Sequence, residues 1–367
     1  MLIAAIAAPT FAAAQPATVP RRSVRICAGG DVSLGTNLDT SWVIRASKWS
    51  LRPVPALPDP AHLLAPLRPL LRDADIVLVN VEGAIGEGAA PPIKCTALTK
   101  HCFALRQPIA SAAALRGLAP AGEVVGNVAN NHAHDAGDEG LDSTIAHLTA
   151  AGVHVAGGDT LPAVVATASG DTVAFLGFST SSVPDARDLD LVRRVVARTA
   201  ARWPRVVVTA HLGAEGSQAQ RTRDSTELFL AEDRGNAVAF ARTAVAAGAG
   251  LVIGHGPHVV RAVEWEGDAL VAYSLGNLVT YGPFSILPPL DRGMILCAAL
   301  DGSGKATWAV LRPTRQLLPG RVRPDRSARA LVLVDSLARL DFPSSAPSLM
   351  MEGVLLRRPT APPGPPR

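Results

Sequence analysis

Leu251-Val252-Ile253-Gly254-His255-Gly256-Pro257-His258 is the stretch from which the rest of the chain is read. Its aliphatic run shows no polar alternation, the pattern of a strand buried on both faces. Gly and Pro then fix a turn that sets two imidazoles three positions apart, a spacing that suits chelation of a cation. Upstream, other apolar runs also end in polar residues. Val24–Ala28 leads through Gly29 and Gly30 to Asp31, and Ile76–Val79 to Asn80, Val81 and Glu82. Val124–Ala129 leads to Asn130, Asn131, His132, His134 and Asp135, and Val206–Ala210 to His211. Ligands of open α/β sheets bind at the carboxyl ends of the strands. The pattern therefore predicts one edge lined by carboxylates, amides and imidazoles.

The surrounding sequence alternates short Val/Ile/Leu runs with longer Ala/Leu stretches of helical period, which reads as α/β. Strands are expected at 24–28, 76–79, 123–128, 173–177, 206–209, 251–253, 269–274 and 294–300. Helices are expected near 61–72, 108–117, 139–151, 189–203, 234–247 and 328–340. Two longer connections, 35–60 with Trp42 and Trp49, and 83–107, are placed to form rims around a site. The polar residues run from Asp31 to Asn277 with no Pro/Gly-rich linker between them. One domain over 24–315 is therefore expected, after a signal peptide and leader over 1–23 and before a C-terminal helix and Pro-rich tail over 316–367. Residues 1–14 are apolar and close on Ala12-Ala13-Ala14. That is an h-region with a processing site, predicting export to the periplasm or cell envelope.

The chain has 367 residues, 48% hydrophobic and 18% charged, which excludes a wholly disordered polymer. A net charge of +4 and 4% aromatics, without a dense basic cluster, exclude a dedicated nucleic-acid binder. Cys95 and Cys102 bracket a polar loop and are placed to close a local disulfide, whereas Cys27 and Cys297 lie in apolar runs and read as buried small hydrophobes. The Arg-rich segment 312–329 reads as a solvated connection.

Taken singly, the polar residues have ordinary readings. Asp31 fits a helix cap, Glu82 a surface acid and His211 a hydrogen-bonded core histidine. Taken together, burial of so many polar groups without a cation would leave several unpaired. Carboxylate, amide oxygen and neutral imidazole suit Zn, Mn or Fe, and a pair of cations needs a bridging carboxylate such as Glu82.

Gly30-Asp31-Val32, Asn80-Val81-Glu82, Asn130-Asn131-His132 with Asp135, His211 with Gly213 and Glu215, Gly254-His255 with Pro257-His258, and Ser274-Leu275-Gly276-Asn277 follow one another along the chain. The pattern resembles the CapA (poly-γ-glutamate capsule biosynthesis) family, which is similar in fold to calcineurin-like metallophosphoesterases. The resemblance implies a layered β-sandwich flanked by helices. It implies two divalent cations, with Asp31 and His258 at the first, Glu82 bridging, and Asn131, His211 and His255 at the second. It further implies His132 as general acid oriented by Asp135, with Asn80, Asn130, Glu215 and Asn277 around substrate or ligands. Ser33 stands where phosphoesterases usually carry a histidine, Thr36 where CapA-like proteins often have Arg, and Leu212 where they commonly have Trp.

The expected chemistry is metal-assisted hydrolysis of a phosphoester or of a γ-glutamyl amide in an anionic polymer, in association with a membrane capsule-synthesis complex. The rival expectation is a non-catalytic, metal-containing polymer-binding or export factor.

Overall fold

The computed structural model describes residues 23–37, 57–87, 103–282, 284 and 286–358. The expected signal segment, Trp42, Trp49, the Cys95–Cys102 pair and the end of the proline-rich tail lie outside the described residues.

In chain order the principal elements of the first half are β1 (Val24–Ser33), α1 (Pro60–Leu64), β2 (Ile76–Val81), α2 (Ala110–Arg116), β3 (Glu123–Asn127), α3 (Gly137–Ala150) and β4 (His154–Ala156). They are followed by β5 (Ala163–Ala166), β6 (Thr172–Ser179), α4 (Leu189–Ala200), β7 (Val206–His211), α5 (Ala237–Ala246) and β8 (Leu251–His255). The last are β9 (Val263–Glu266), β10 (Ala269–Ala272), β11 (Asn277–Thr280), β12 (Arg292–Leu300), β13 (Ala306–Leu317), β14 (Arg321–Pro324) and α6 (Arg329–Asp341).

Two sheets face each other. The eight-stranded one runs β14-β13-β12-β1-β2-β3-β4, with β11 paired to the end of β1; the six-stranded one runs β9-β10-β8-β7-β6-β5. Side chains alternate across each strand, and the two faces meet different partners. Ile26, Leu78 and Val125 of the first sheet join Phe175, Val207, Leu251 and Ile253 of the second in a core between the sheets. Val77, Val79 and Val124 point the other way, onto Leu64, Leu115 and Leu148 of α1, α2 and α3. Leu176, Val206, Val208 and Val252 likewise pack on Val192 and Val196 of α4 and Phe240 of α5. The result is the expected layered α/β sandwich. It explains the continuous apolar strands, since polar residues at either face would have to leave water.

Several local expectations are corrected. Pro66 and Pro69 break the first helix into short α and 3-10 pieces, because proline lacks the N–H that an unbroken helix needs. The helix expected from Arg234 begins at Ala237, where the Asn236 side chain accepts from the N–H groups of Val238 and Ala239. Arg312–Arg329 is not a solvated connection: its first part completes β13 and it then forms β14. Arg312 ties that edge to Asp73 through two contacts of 2.8 and 2.9 Å. Cys27 and Cys297 are not free apolar side chains either. They face each other across β1 and β12 and form a disulfide.

Candidate metal centre

Strand register assembles the site. Parallel pairing sets Asp31 opposite Asn80 and Asn277, Asn80 opposite Asn127, and His211 opposite His255. Gly30 permits this, since a Cβ there would lie 1.8 Å from the Gly276 carbonyl oxygen and hold β1 away from the segment carrying Asn277.

On the first sheet the polar groups satisfy one another. Asn80 donates through Nδ2 to Asp31 Oδ1 at 2.8 Å, and the same nitrogen is 3.1 Å from His211 Nδ1. Asn80 Oδ1 accepts from Asn127 Nδ2 at 2.8 Å and from Asn130 Nδ2 at 3.3 Å. Asn127 also donates to the Ala129 carbonyl at 3.0 Å, and Asn130 to the Val81 carbonyl at 2.9 Å. Asn130 Oδ1 in turn accepts from the His132 amide at 3.0 Å. His132 Nδ1 lies 2.5 Å from Asp135 Oδ2, which also accepts from the Leu105 amide at 2.6 Å. Leu105 belongs to a small sheet in which Thr36–Asn37, Leu105–Gln107 and Ala84–Ile85 pair. The described parts of the two long connections therefore buttress the site from one side, as their positions after early strands suggested.

The second sheet contributes imidazoles. His255 Nδ1 is 3.5 Å from Asp31 Oδ1, and His211 Nε2 is 4.0 Å from Glu82 Oε1. His258 has φ of +58°, a left-handed backbone that a non-glycine residue adopts only when its surroundings hold it there. Gly256, at φ +109°, makes the turn before it. The turn brings His258 Nδ1 to 3.1 Å from Asp31 Oδ2 and 2.9 Å from Asn277 Oδ1. His258 Nε2 faces Glu82 Oε1 at 3.6 Å and Glu215 Oε2 at 3.8 Å. His132 Nε2 approaches Glu82 Oε1 at 4.0 Å from the other side. Asn131, half-buried, donates to Glu215 Oε1 at 3.3 Å. The expected carboxylates, amides and imidazoles thus come together on this one rim, except His134, which is exposed and pairs instead with Asp138 at 2.9 Å.

The electrostatics follow from burial. Desolvation pushes the Glu82 carboxyl up to about 8, against the pull of His258 and with the charges of Asp31, Glu215 and Asp135 adding to the rise. Burial also opposes ionisation of Asp31, but the hydrogen bond and charge of His258, with His255 and His211 behind it, hold that carboxyl below its usual range. Burial drives His255 down to about 4 and His211 well below 6.5. His258 is raised well above 6.5, because Glu82, Asp31 and Glu215 together outweigh its burial.

A divalent cation fits this donor set. Asp31, Glu82 and His258 each offer a ligand atom, and the three lie within 4.8 Å of one another. Among the described residues, Glu82 Oε1, His211 Nε2 and both ring nitrogens of His255 are buried without a hydrogen-bond partner. Leaving such atoms unpaired costs about 1–3 kcal/mol each, a cost that coordination of Glu82 Oε1 and of one His255 nitrogen removes.

Behind the site lie residues that no sequence motif marked. Arg234, buried, donates to Glu215 Oε1. Arg261, also buried, holds Glu227 through two hydrogen bonds of 2.7 Å. Asn127 was hidden in an apolar strand run, although a lone amide between Gly126 and Val128 was itself a signal.

Fold and rim together define an α/β sandwich with a candidate metal centre at its strand ends. Residues 25–281 match the bacterial capsule synthesis proteins termed PGA_cap, and the chain belongs to that family. It is 29% identical over 181 residues to the capsule biosynthesis protein CapA of Bacillus anthracis, covering 43% of this chain and 40% of that relative's length. Among solved structures, it is similar to GAP50, the anchor in the inner membrane complex of Plasmodium. That likeness has 9% identity and a TM-score of 0.36, over 89% of this chain and all of the other. The 5′-nucleotidase precursor of Thermus thermophilus is similar at 14% identity and a TM-score of 0.39, over 86% and 58% of the two chains. At such scores neither likeness adds to the reading of the site. No helix among the described residues is long and apolar enough to cross a membrane.

Proposed function

We propose that this chain is an exported, metal-dependent hydrolase of capsule-polymer synthesis or export, acting on phosphoester or γ-glutamyl amide bonds. One observation carries the reading: Asp31, Glu82 and His258 converge within 4.8 Å, and Glu82 Oε1 and the nitrogens of neighbouring His255 are buried without a hydrogen-bond partner among the described residues. Asp31 and His258 would hold one cation and Glu82 would bridge to a second, Mn, Zn or Fe, drawing on His255 and Asn131. A divalent cation held there supplies Lewis-acid polarisation and a more acidic water. His132, oriented by Asp135, would donate a proton to the leaving group, a contribution of about 10²–10⁴-fold. Glu215 and Asn277, both in contact with His258, would stand nearest an anionic polymer or phosphoester bound at the cations, with a membrane capsule-synthesis complex as the setting. The Cys27–Cys297 disulfide supports export, since such bonds persist in oxidising compartments.

A second reading, a non-catalytic polymer-binding or export factor, is favoured by Ser33. Its hydroxyl is buried and has no hydrogen-bond partner among the described residues, and it stands where phosphoesterases usually place another ligand. The test is elemental analysis of the purified chain, followed by assays on simple phosphoesters and γ-glutamyl oligomers. No turnover in a metal-replete wild type would favour the binding role, whereas turnover that survives in His132→Ala would remove His132 as the general acid. Asn131→Ala serves as the control for the second cation.

A further inference from the structure

Two imidazoles that face the same pocket meet opposite hydrogen-bond partners at Nδ1. For His258 both neighbours are oxygens, Asp31 Oδ2 at 3.1 Å and Asn277 Oδ1 at 2.9 Å. An oxygen acceptor calls for a proton on Nδ1, which leaves Nε2 to offer its lone pair toward Glu82 and Glu215 when the ring is neutral. For His211 the neighbour is an amide nitrogen, Asn80 Nδ2 at 3.1 Å. That nitrogen carries two protons. One goes to Asp31 Oδ1 at 2.8 Å, and the other points at His211 Nδ1.

The orientation of the Asn80 amide is fixed by three independent anchors. Reversing it would set its oxygen against the Asp31 carboxylate and its nitrogen against the amide nitrogens of Asn127 and Asn130. Those two amides cannot reverse in compensation. Asn127 Nδ2 is committed to the Ala129 carbonyl at 3.0 Å, and Asn130 Nδ2 to the Val81 carbonyl at 2.9 Å. Asn130 Oδ1 is held by the His132 backbone N–H at 3.0 Å. Backbone groups have no freedom to exchange donor for acceptor, so the polarity of the whole chain of amides is set by the main chain and ends on His211.

We infer that His211 is held in the tautomer with its proton on Nε2, and presents a hydrogen-bond donor to the site in place of a metal ligand. Its Nε2 is buried, has no hydrogen-bond partner among the described residues, and points to the region beside Glu82 Oε1, 4.0 Å away. A neutral imidazole N–H in a water-poor site suits an oxygen on which negative charge grows, such as that of an attacked phosphoryl or carbonyl group. The cations are then left to Asp31, Glu82, His258, His255 and Asn131. This assignment deepens the hydrolase reading and rests on it for the oxyanion, but the tautomer itself does not depend on catalysis.

The test is two-bond ¹H–¹⁵N correlation spectroscopy on the histidine-labelled, metal-free full chain, with His211→Gln used to assign the His211 signals. The expected spectrum shows His211 Nε2 protonated and Nδ1 bare, and His258 without that pattern. Protonation of His211 on Nδ1 would overturn the assignment. Zinc is then titrated in. The Nε2–H of His211 should persist at saturation, and its loss with a bare, shifted Nε2 would mark a ligand and defeat the idea. His211→Gln, which keeps an N–H donor but has no imidazole, should bind zinc within about threefold of wild type by calorimetry. Loss of a group that orients a ligand already costs roughly 10–100-fold, and a drop of that size or larger would count against a donor role. A wild type that takes up no zinc at all would instead sink the metal-centre reading, while the metal-free spectrum still decides the tautomer.

Discussion

The two sheets end in rims of different character. The first carries amides and carboxylates that are mostly one another's partners: Asn80 alone joins Asp31, Asn127 and Asn130. The second carries imidazoles whose nitrogens at His255 and at His211 Nε2 meet no hydrogen-bond partner among the described residues. Satisfied buried networks rigidify the structure that holds them, whereas unsatisfied buried groups cost stability and persist where a ligand will use them. The first rim therefore reads as the frame of the site, and the second as its receiving surface. Glu82 and His258 sit where the two meet.

The comparison predicts opposite responses to apolar substitution. Asn80→Leu should destabilise the metal-free chain by roughly 3–5 kcal/mol, because Asp31 Oδ1 and His211 Nδ1 both lose their donor in a dry environment. His255→Leu removes a ring whose two nitrogens meet no hydrogen-bond partner among the described residues. It should leave the metal-free chain within about 1 kcal/mol of wild type, or more stable, while weakening zinc uptake by about 100-fold or more. Urea denaturation after chelation checks the first quantities and calorimetry the last. Equal losses of stability at the two positions would erase the distinction between frame and receiving surface.

A pH series sharpens it further. Glu82 is raised to about 8, so between its ordinary value of 4.5 and about 8 the metal-free fold holds a proton that the unfolded chain has released. His258, raised above 6.5, acts in the same sense. Both contributions are present at low pH and are lost as pH rises through the folded values. His255 and His211 act oppositely, but only below 6.5, where the unfolded chain takes up protons that the fold refuses. Between pH 6.5 and about 8 the metal-free chain should therefore lose stability with rising pH. Glu82→Gln should flatten that slope. Cation loading displaces the Glu82 proton, so zinc affinity should climb over the same interval; an affinity that falls there contradicts the role of Glu82.

Much of the receiving surface was legible because imidazoles at strand ends are rare enough to stand out, and His255-Gly256-Pro257-His258 states its own geometry. The strand cores were legible for the same reason that they fold: continuous aliphatic runs demand burial on both faces. The frame was less so. Asn127 lies inside such a run, and its importance appears only once β2 and β3 are in register. Arg234 was read as the start of a helix and Arg261 stands between strands, and their partners Glu215 and Glu227 are 19 and 34 positions away. The pairing of Cys27 with Cys297 spans 270 positions and follows from β12 returning antiparallel to β1, which no local pattern announces.

The smallest expected effect falls on Asn277, which lies on the first sheet but touches an imidazole of the second. Its Oδ1 is 2.9 Å from His258 Nδ1, and Asp31 Oδ2 is 3.1 Å from the same nitrogen. If the first rim only frames the second, Asn277→Ala should cost little, because Asp31 remains to accept the Nδ1 proton and keep Nε2 turned toward Glu82. Zinc affinity should fall by roughly tenfold or less, the lower end of what removal of a ligand-orienting group costs, and metal-free stability by about 1 kcal/mol. A loss comparable to that of His255→Leu would mean that Asn277 itself contributes to holding the cation, and that the boundary between the two rims lies one residue further into the first sheet.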